Sequence, residues 1–343
     1  MSLLNRTQQL SPAYFGLVMA TGIIAIAAKQ QQWPSLAYSL FTVACISWFT
    51  LLILFSYRFI RFFRDFTQDL VSHNKGPGFF TTVAGTALIG SQSLILFGWY
   101  WFAFIAWMLA LFLWVLLTYT IFTALTIRHN KPSLDKGING AWLLAVVATQ
   151  SVAVLSALIA AQTDQPWKVQ LNFLALSMWL WGGMLYIWMM SLIFYRYTFF
   201  EFSPSDLAPP YWINMGAMAI STLAGSLLII NSQNAPFLDG LVPFLKGFTI
   251  FYWATGSWWI PMLLILGIWR HLVCRFPLTY DPLYWGAVFP LGMYSACTYV
   301  MLNAMQFSFL SSLPTVFFYI AVIFWIMTFT GLCRRLLGLR HKE

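Results

Sequence analysis

Apolar residues run along this chain in long stretches, each closed by a short polar or Pro/Gly-rich break. The breaks delimit ten runs, near 11–28, 36–57, 78–97, 101–122, 138–161, 172–197, 212–230, 247–268, 285–305 and 312–332. Each is close to the roughly 20 residues a helix needs to cross the hydrocarbon core of a bilayer. The pattern predicts an all-α membrane protein, ten transmembrane helices in a single transmembrane domain over residues 1–343. Consecutive runs pair into helical hairpins over 11–57, 78–122, 138–197, 212–268 and 285–332. One hairpin recurring every roughly 60 to 75 residues in the same orientation is a parallel internal repeat.

The two members of each hairpin differ. Gly, Ala, Ser, Thr, Asn and Gln are roughly twice as frequent in the odd-numbered runs, and such side chains belong at helix contacts or water-lined cavities. The even-numbered runs are dense in Leu, Phe and Trp. Odd helices are therefore expected inside, around a central pore, and even helices against lipid. The odd runs share a texture (VMATG, AGTALIG, VVATQ, AISTLAG, SACTY) that sets one threonine among small residues: Thr21, Thr86, Thr149, Thr222 and Thr298. Two readings stand: close packing of membrane helices, or the lining of a passage formed by five inner helices running in one direction. Pro12 reads as a helix-start proline. Pro290 falls inside the ninth run, in WGAVFPLGMY, where it removes a backbone hydrogen bond and kinks the helix. Phe289 before it is either turned inward by that kink or packed against protein or lipid.

Composition sharpens the class. The 343 residues are 60% hydrophobic and 8% charged, with a mean hydropathy of +0.75, whereas a soluble domain carries about 25% charged residues. The net charge of +9 does not read as a nucleic-acid surface, because Lys and Arg are confined to short connections. With both termini inside, the cytoplasmic segments hold Arg6, Arg58, Arg61, Arg64, Lys75, Arg128, Lys131, Lys136, Arg196, Arg270, Arg275, Arg334, Arg335, Arg340 and Lys342. Only Lys29, Lys168 and Lys246 remain outside. That asymmetry predicts a multi-pass protein of the plasma membrane, in a bacterium the inner membrane, with both ends cytoplasmic. Arg6, an apolar stretch and Ala25-Ile26-Ala27 have the outline of a cleavable signal peptide, but the hairpin repeat assigns that stretch to the first span. Cys45, Cys274, Cys297 and Cys333 are widely separated, and the two inside apolar runs, Cys45 and Cys297, read as small packing residues rather than disulfides or ligands.

The acidic residues Asp65, Asp69, Asp135, Asp164, Glu201, Asp206, Asp239, Asp281 and Glu343 all fall outside the runs, as do His73, His129, His271 and His341. Cation-coupled carriers place an ionisable group at mid-membrane. No HExxH, paired carboxylate, phosphate-binding loop or Ser/His/Asp cluster is present, so no enzyme, metal site or cofactor is expected. A membrane core without negative charge does admit an anion. Hydroxyls, Asn, Gln and backbone dipoles replace part of its water, and Lys and Arg at the mouths raise its local concentration.

Through SPAYFGLVMATGIIAIA in the first run, GPGFFTTVAGTALIGSQ entering the third, NGAWLLAVVATQSVAV in the fifth and WGAVFPLGMY in the ninth, the chain resembles the tellurite-resistance/dicarboxylate transporter family. That family includes bacterial tellurite-resistance permeases, fungal malate and sulfite transporters and plant slow anion channels. The resemblance implies five hairpins around a pore formed by the inner helices, assembled as a homotrimer with one pore per protomer. It also implies an aromatic plug on the ninth helix, matched here by Phe289, with Pro290 after it. The function expected is a passive channel or facilitator for small anions. The alternative is a secondary transporter of a C4-dicarboxylate such as malate, or of sulfite, proton-linked or not; the lack of a buried titratable group stands against it. A receptor or structural membrane protein is a third class, but the connections are too short for a signalling domain.

Overall fold

A computed structural model describes residues 7–162 and 166–337. Of the residues inventoried above, Arg6, Asp164, Arg340, His341, Lys342 and Glu343 lie outside the described residues. All regular elements among the described residues are helical. The long ones are α1 (Phe15–Gln30), α2 (Pro34–Arg61), α3 (Phe80–Phe97), α4 (Tyr100–Ile127), α5 (Leu144–Ala160), α6 (Lys168–Phe199), α7 (Ile213–Ile230), α8 (Val242–Ile268), α9 (Trp285–Met305) and α10 (Leu313–Leu336). Nine helices among the described residues are long and apolar enough to cross a membrane. The remaining one, α9, has 21 residues and a more polar sequence with Pro290, Tyr294, Ser295 and Asn303.

Each odd helix is entered through a single 3-10 turn: Pro12–Tyr14, Gly76–Phe79, Gly140–Leu143, Pro209–Trp212 and Pro282–Tyr284. The local sequence explains the turns. Proline fixes the first dihedral and needs no hydrogen bond for its nitrogen. Ser11, Asn139 and Asp281 accept from the backbone N–H groups of Ala13, Ala141 and Leu283, capping three of the five starts.

The odd helices close into a ring. In order, α1 packs on α3, α3 on α5, α5 on α7, α7 on α9 and α9 back on α1, and the five entry turns touch in the same cyclic order. All five helices therefore start at one end, called here the charged end. Every described Lys and Arg other than Lys29, Lys168 and Lys246 lies at that end. Each even helix packs on the inner helix of its own hairpin and on the inner helix of the next. The inner spans with α1, α3, α5 and α7 are 83–94% buried, against 22–33% for those with α2, α4, α8 and α10. The span of α6 is intermediate at 56%.

Contacts between consecutive hairpins repeat one chemical device. The indole N–H of an outer-helix tryptophan donates to the inner helix of the following hairpin: Trp48 to Thr86 Oγ1 (3.0 Å), Trp114 to Thr149 Oγ1 (2.8 Å), Trp253 to Thr298 Oγ1 (3.0 Å) and Trp325 to Thr21 Oγ1 (2.9 Å). Between α6 and α7 the acceptor is the backbone oxygen of Ser221, 2.8 Å from Trp179 Nε1. Between helices in lipid the hydrophobic effect supplies little, so packing and such hydrogen bonds carry the association. The last latch sits elsewhere on its helix. Thr298 lies about two turns further from the start of α9 than Thr21 does from the start of α1.

Arginines at the charged ends of three outer helices fasten the connections. Arg58, 1% exposed, donates to Gln8 O (2.9 Å), Leu10 O (3.0 Å) and Asp69 Oδ2 (2.6 Å). Arg196 donates to the Tyr211 hydroxyl and to Asp206 Oδ1 (3.1 Å), and Arg270 donates to Leu207 O while lying over the Phe276 ring. Partial burial alone would raise the Asp206 carboxyl, but hydrogen bonds from Ser203 and the Arg196 charge hold it below the usual carboxylate range. Its stabilising contribution is therefore present at neutral pH and lost as pH falls through that depressed value.

The latch has a direct test. Trp114→Phe keeps an aromatic ring and deletes the donor, and Thr149→Val deletes the acceptor. Thermal unfolding in detergent of both single variants and the double should give a coupling of about 0.6 kcal/mol, and up to about 1.7 kcal/mol, favouring the intact pair. Additive effects would reduce the pair to mere contact.

Candidate functional site

Two cavities lie along the axis of the ring. The near cavity opens at the charged end, has a volume of about 1900 Å³ and spreads sideways between α2 and α10. The far cavity, about 50 Å³, has room for a few waters. It is lined by Ile26 and Gln30 of α1, Leu88, Ser91 and Ile95 of α3, and Ser151, Val154 and Leu158 of α5. The ring's other two helices add Ile220, Leu223 and Leu227 of α7 and Met293 and Val300 of α9.

The spacing is three or four residues, one helical turn, on α1, α3, α5 and α7 and seven residues, two turns, on α9, so each inner helix turns a single stripe to the axis. Stepping back from the far cavity, one turn on α3, α5, α7 and α9 and two turns on α1, where Ile23 lies between, reaches Ala84, Val147, Gly216, Phe289 and Met19. One further turn reaches Gly16, Thr81, Leu144, Ile213 and Gly286, all of which line the near cavity. The stripe is thus continuous, and its register holds at both ends. Met19 and Phe289 line the near cavity, and Met293, one turn beyond Phe289, lines the far one. The layer of Met19, Ala84, Val147, Gly216 and Phe289 lies between them.

Close helix approach positions Phe289, which is 1% exposed. A Cβ on Gly216 of α7 would lie 2.7 Å from Pro290 Cγ, and one on Gly292 would lie 2.9 Å from Ile24 Cγ1 of α1. With hydrogen at both positions, α9 wedges between α7 and α1 at the level of the phenyl ring. Pro290 removes one intrahelical hydrogen bond there, yet α9 runs as a helix on both sides of it.

Thr21, Thr86, Thr149, Thr222 and Thr298 are buried, and none lines either cavity. Each stands two residues, about 200° of helix rotation, from a stripe position. Four of the hydroxyls face an outer-helix indole, and that of Thr222 donates to Met218 O (2.9 Å). The threonines are brought together with tryptophans, not with one another. The sequence reading missed those tryptophans, grouped with lipid-facing Leu and Phe, and it missed Met19, Ser91, Ser151 and Gln30. The signal for the stripe was faint because helices buried all round show no apolar face.

The near cavity is lined by charge of both signs, Asp281 beside Lys75, Arg334 and Arg335, with the cations in excess. Five helix N-termini converge on the near cavity, each contributing partial positive charge. Among the described residues no carboxylate lies on a long helix. The near end thus favours negative charge, and the axis beyond it carries none.

The sequence has known relatives. Residues 9–333 match the profile of the voltage-dependent anion channel (SLAC1) family. The chain belongs to the voltage-dependent anion channel family. Two uncharacterized transporters of Methanocaldococcus jannaschii are similar to it over nearly their full lengths. One is 27% identical over 332 residues, 92% of this chain and 90% of the relative. The other is 25% identical over 330 residues, 92% of each. An uncharacterized membrane protein of Mycobacterium tuberculosis is 36% identical over 152 residues, covering 44% of this chain and 77% of the relative. Membership in the voltage-dependent anion channel family makes the protein an anion transporter or channel in general terms.

The stripe predicts which positions of this family member meet water. In a cysteine-free Phe289→Ala background, cysteines at Val154 and Leu223 should react with a small water-soluble thiol reagent, and cysteines at Thr86 and Thr149 should not. The opposite pattern would mean that the register is rotated by half a turn.

Proposed function

We propose that this protein is a passive channel or facilitator for small anions. Its passage runs along the ring formed by α1, α3, α5, α7 and α9, and Phe289, backed by Pro290, is its gate. The observation that carries this reading is the pair of axial cavities separated at the layer of Phe289. An ion at that layer sheds hydration with no polar side chain to replace it, a barrier of the dewetting type. The absence of carboxylates from the described long helices supports an anion, and the converging N-termini raise anion concentration at the near mouth. In this reading α9 crosses the membrane as the tenth span, the stripe lines the passage, and the threonines stand behind it as anchors.

The charge asymmetry supports a cytoplasmic charged end, with both termini inside a plasma membrane, in a bacterium the inner one. Exposed apolar residues such as Ile60, Trp101 and Tyr119 on or beside the outer helices suit lipid and a homotrimer in which each protomer keeps its own passage. A secondary transporter of malate or sulfite is the second reading, favoured by the transporter names of the two Methanocaldococcus jannaschii relatives. It lacks a titratable side chain anywhere on the stripe.

The gate is tested by Phe289→Ala. Chloride efflux from proteoliposomes at matched protein amounts should rise by about tenfold or more, as for removal of a barrier above about 1.4 kcal/mol, with yield unchanged. A phenyl ring that packs a core would instead cost about 3–5 kcal/mol of stability on truncation and lower both yield and flux. Equal or reduced flux overturns the gate. Flux that follows an imposed pH gradient, and that favours malate or sulfite over chloride, selects the transporter.

Topology has its own test. Tags on either terminus should stay protected from protease added outside intact cells. An accessible tag at one end would require an odd number of crossings.

A further inference from the structure

The layers of the stripe beyond Phe289 differ in one systematic way. The first contains Ile23, Leu88, Ser151, Ile220 and Met293; the next contains Ile26, Ser91, Val154, Leu223 and Ala296; the last contains Gln30, Ile95, Leu158, Leu227 and Val300. Each holds a single hydrogen-bonding side chain. The three do not stack on one helix: Ser151 is on α5, Ser91 on α3 and Gln30 on α1, neighbours in the ring. Each step moves one helix around and one turn, about 5 Å, outward. The stripe positions of α7 and α9 at these levels carry no hydroxyl, amide or charge.

We infer that Ser151, Ser91 and Gln30 are successive hydrogen-bonding stations for a partly dehydrated small anion, forming a polar staircase along one wall of the far half of the passage. The inference rests on the channel reading above. A hydroxyl or amide facing an otherwise apolar cavity costs desolvation unless something meets it. Neither serine meets a neighbouring helix. Ser151 Oγ donates to Val147 O (2.7 Å) and Ser91 Oγ to Ala87 O (2.9 Å), each on its own helix. Serines that join helices carry a further partner: Ser156 donates to its own-helix Val152 O (2.7 Å) but also receives the Trp107 indole, and Ser295 donates to Pro314 O. Gln30 Oε1, buried at the last turn of α1, has no hydrogen-bond partner.

The chemistry suits an anion. A serine hydroxyl rotates freely about its Cβ–Oγ bond, so it can leave its own-helix carbonyl and donate to a passing ion, while that carbonyl keeps its backbone hydrogen bond. The Gln30 amide presents its NH2 group by rotating about its last torsion. One donor per layer replaces part of a hydration shell without holding the ion, the compromise that conduction needs. The Phe289 layer, Met19, Ala84, Val147, Gly216 and Phe289, holds no such group. On the near side Thr81 is already engaged with Pro12 O and Gly78 O.

The test uses the full chain carrying Phe289→Ala in proteoliposomes, with chloride as the probe ion. Adding Ser91→Ala or Ser151→Ala removes one atom from the wall, so a purely steric passage would conduct equally or faster. The staircase requires chloride flux to fall by roughly three- to tenfold for each, the factor a lost hydrogen bond commands. Gln30→Leu should act in the same direction, and Ser91→Thr should retain flux by keeping the hydroxyl. Ser221→Ala, which removes a hydroxyl off the stripe, should not lower it. Serine variants that conduct like the parent, or a Ser221→Ala variant that loses as much, would overturn the staircase and leave the channel standing. A Phe289→Ala parent that conducts no anion would overturn the channel reading itself.

Discussion

The bond between an indole N–H on an outer helix and an oxygen on the next inner helix is the interaction on which this architecture turns. A hairpin of two apolar helices in lipid has little reason to choose one neighbour over another, because its surfaces are as apolar as the acyl chains. A buried indole N–H supplies the reason, since an unmet donor is expensive in hydrocarbon. Each outer helix carries one tryptophan at the right height, and each finds its acceptor one hairpin further along. Because Trp325 of the last hairpin reaches Thr21 of the first, the order of hairpins closes into a ring.

The same bond divides labour around each inner helix. Its outward side is occupied by threonine and indole, its flanks by small residues against the adjoining inner helices, and only one stripe remains for the axis. That stripe carries none of the indole latches, and it holds such unlike side chains as Phe289, Ser91 and Leu227. The arginines complete the pattern at the charged end. Arg58, Arg196 and Arg270 are buried by the connections they hold, so the positive charge gathered there also ties the loops.

Much of this was legible before any coordinates. Run length exposed the helices, the contrast of small against bulky residues separated inner from outer, and the proline–aromatic entries such as SPAYF and DPLYW marked where the inner helices begin. The orientation of the threonines was not legible. Thr21 and its tryptophan are 304 residues apart, and no local period connects them. The sequence also offered two explanations for threonine among small residues, and only the ring, by fixing which face looks at the axis, separates them. Ser91 and Ser151 were hidden for a related reason: GSQS and ATQS read as uniform polar texture until one knows that Gln92 and Gln150 turn away, toward Gly22 and Gly182.

The displaced Trp253–Thr298 latch gives α9 an unequal mounting. Its bonds to α8 and α10, Trp253 to Thr298, Ser257 with Tyr294 and Ser295 to Pro314, all fall on the far side of Pro290. On the near side, where Phe289 sits, α9 is held by contact alone, and at the proline itself its backbone ladder is one rung short. Mechanically this is a beam clamped at one end with a flexure cut next to the clamp. In the channel reading such a mounting concentrates any bending of α9 at the flexure, one residue from the phenyl ring.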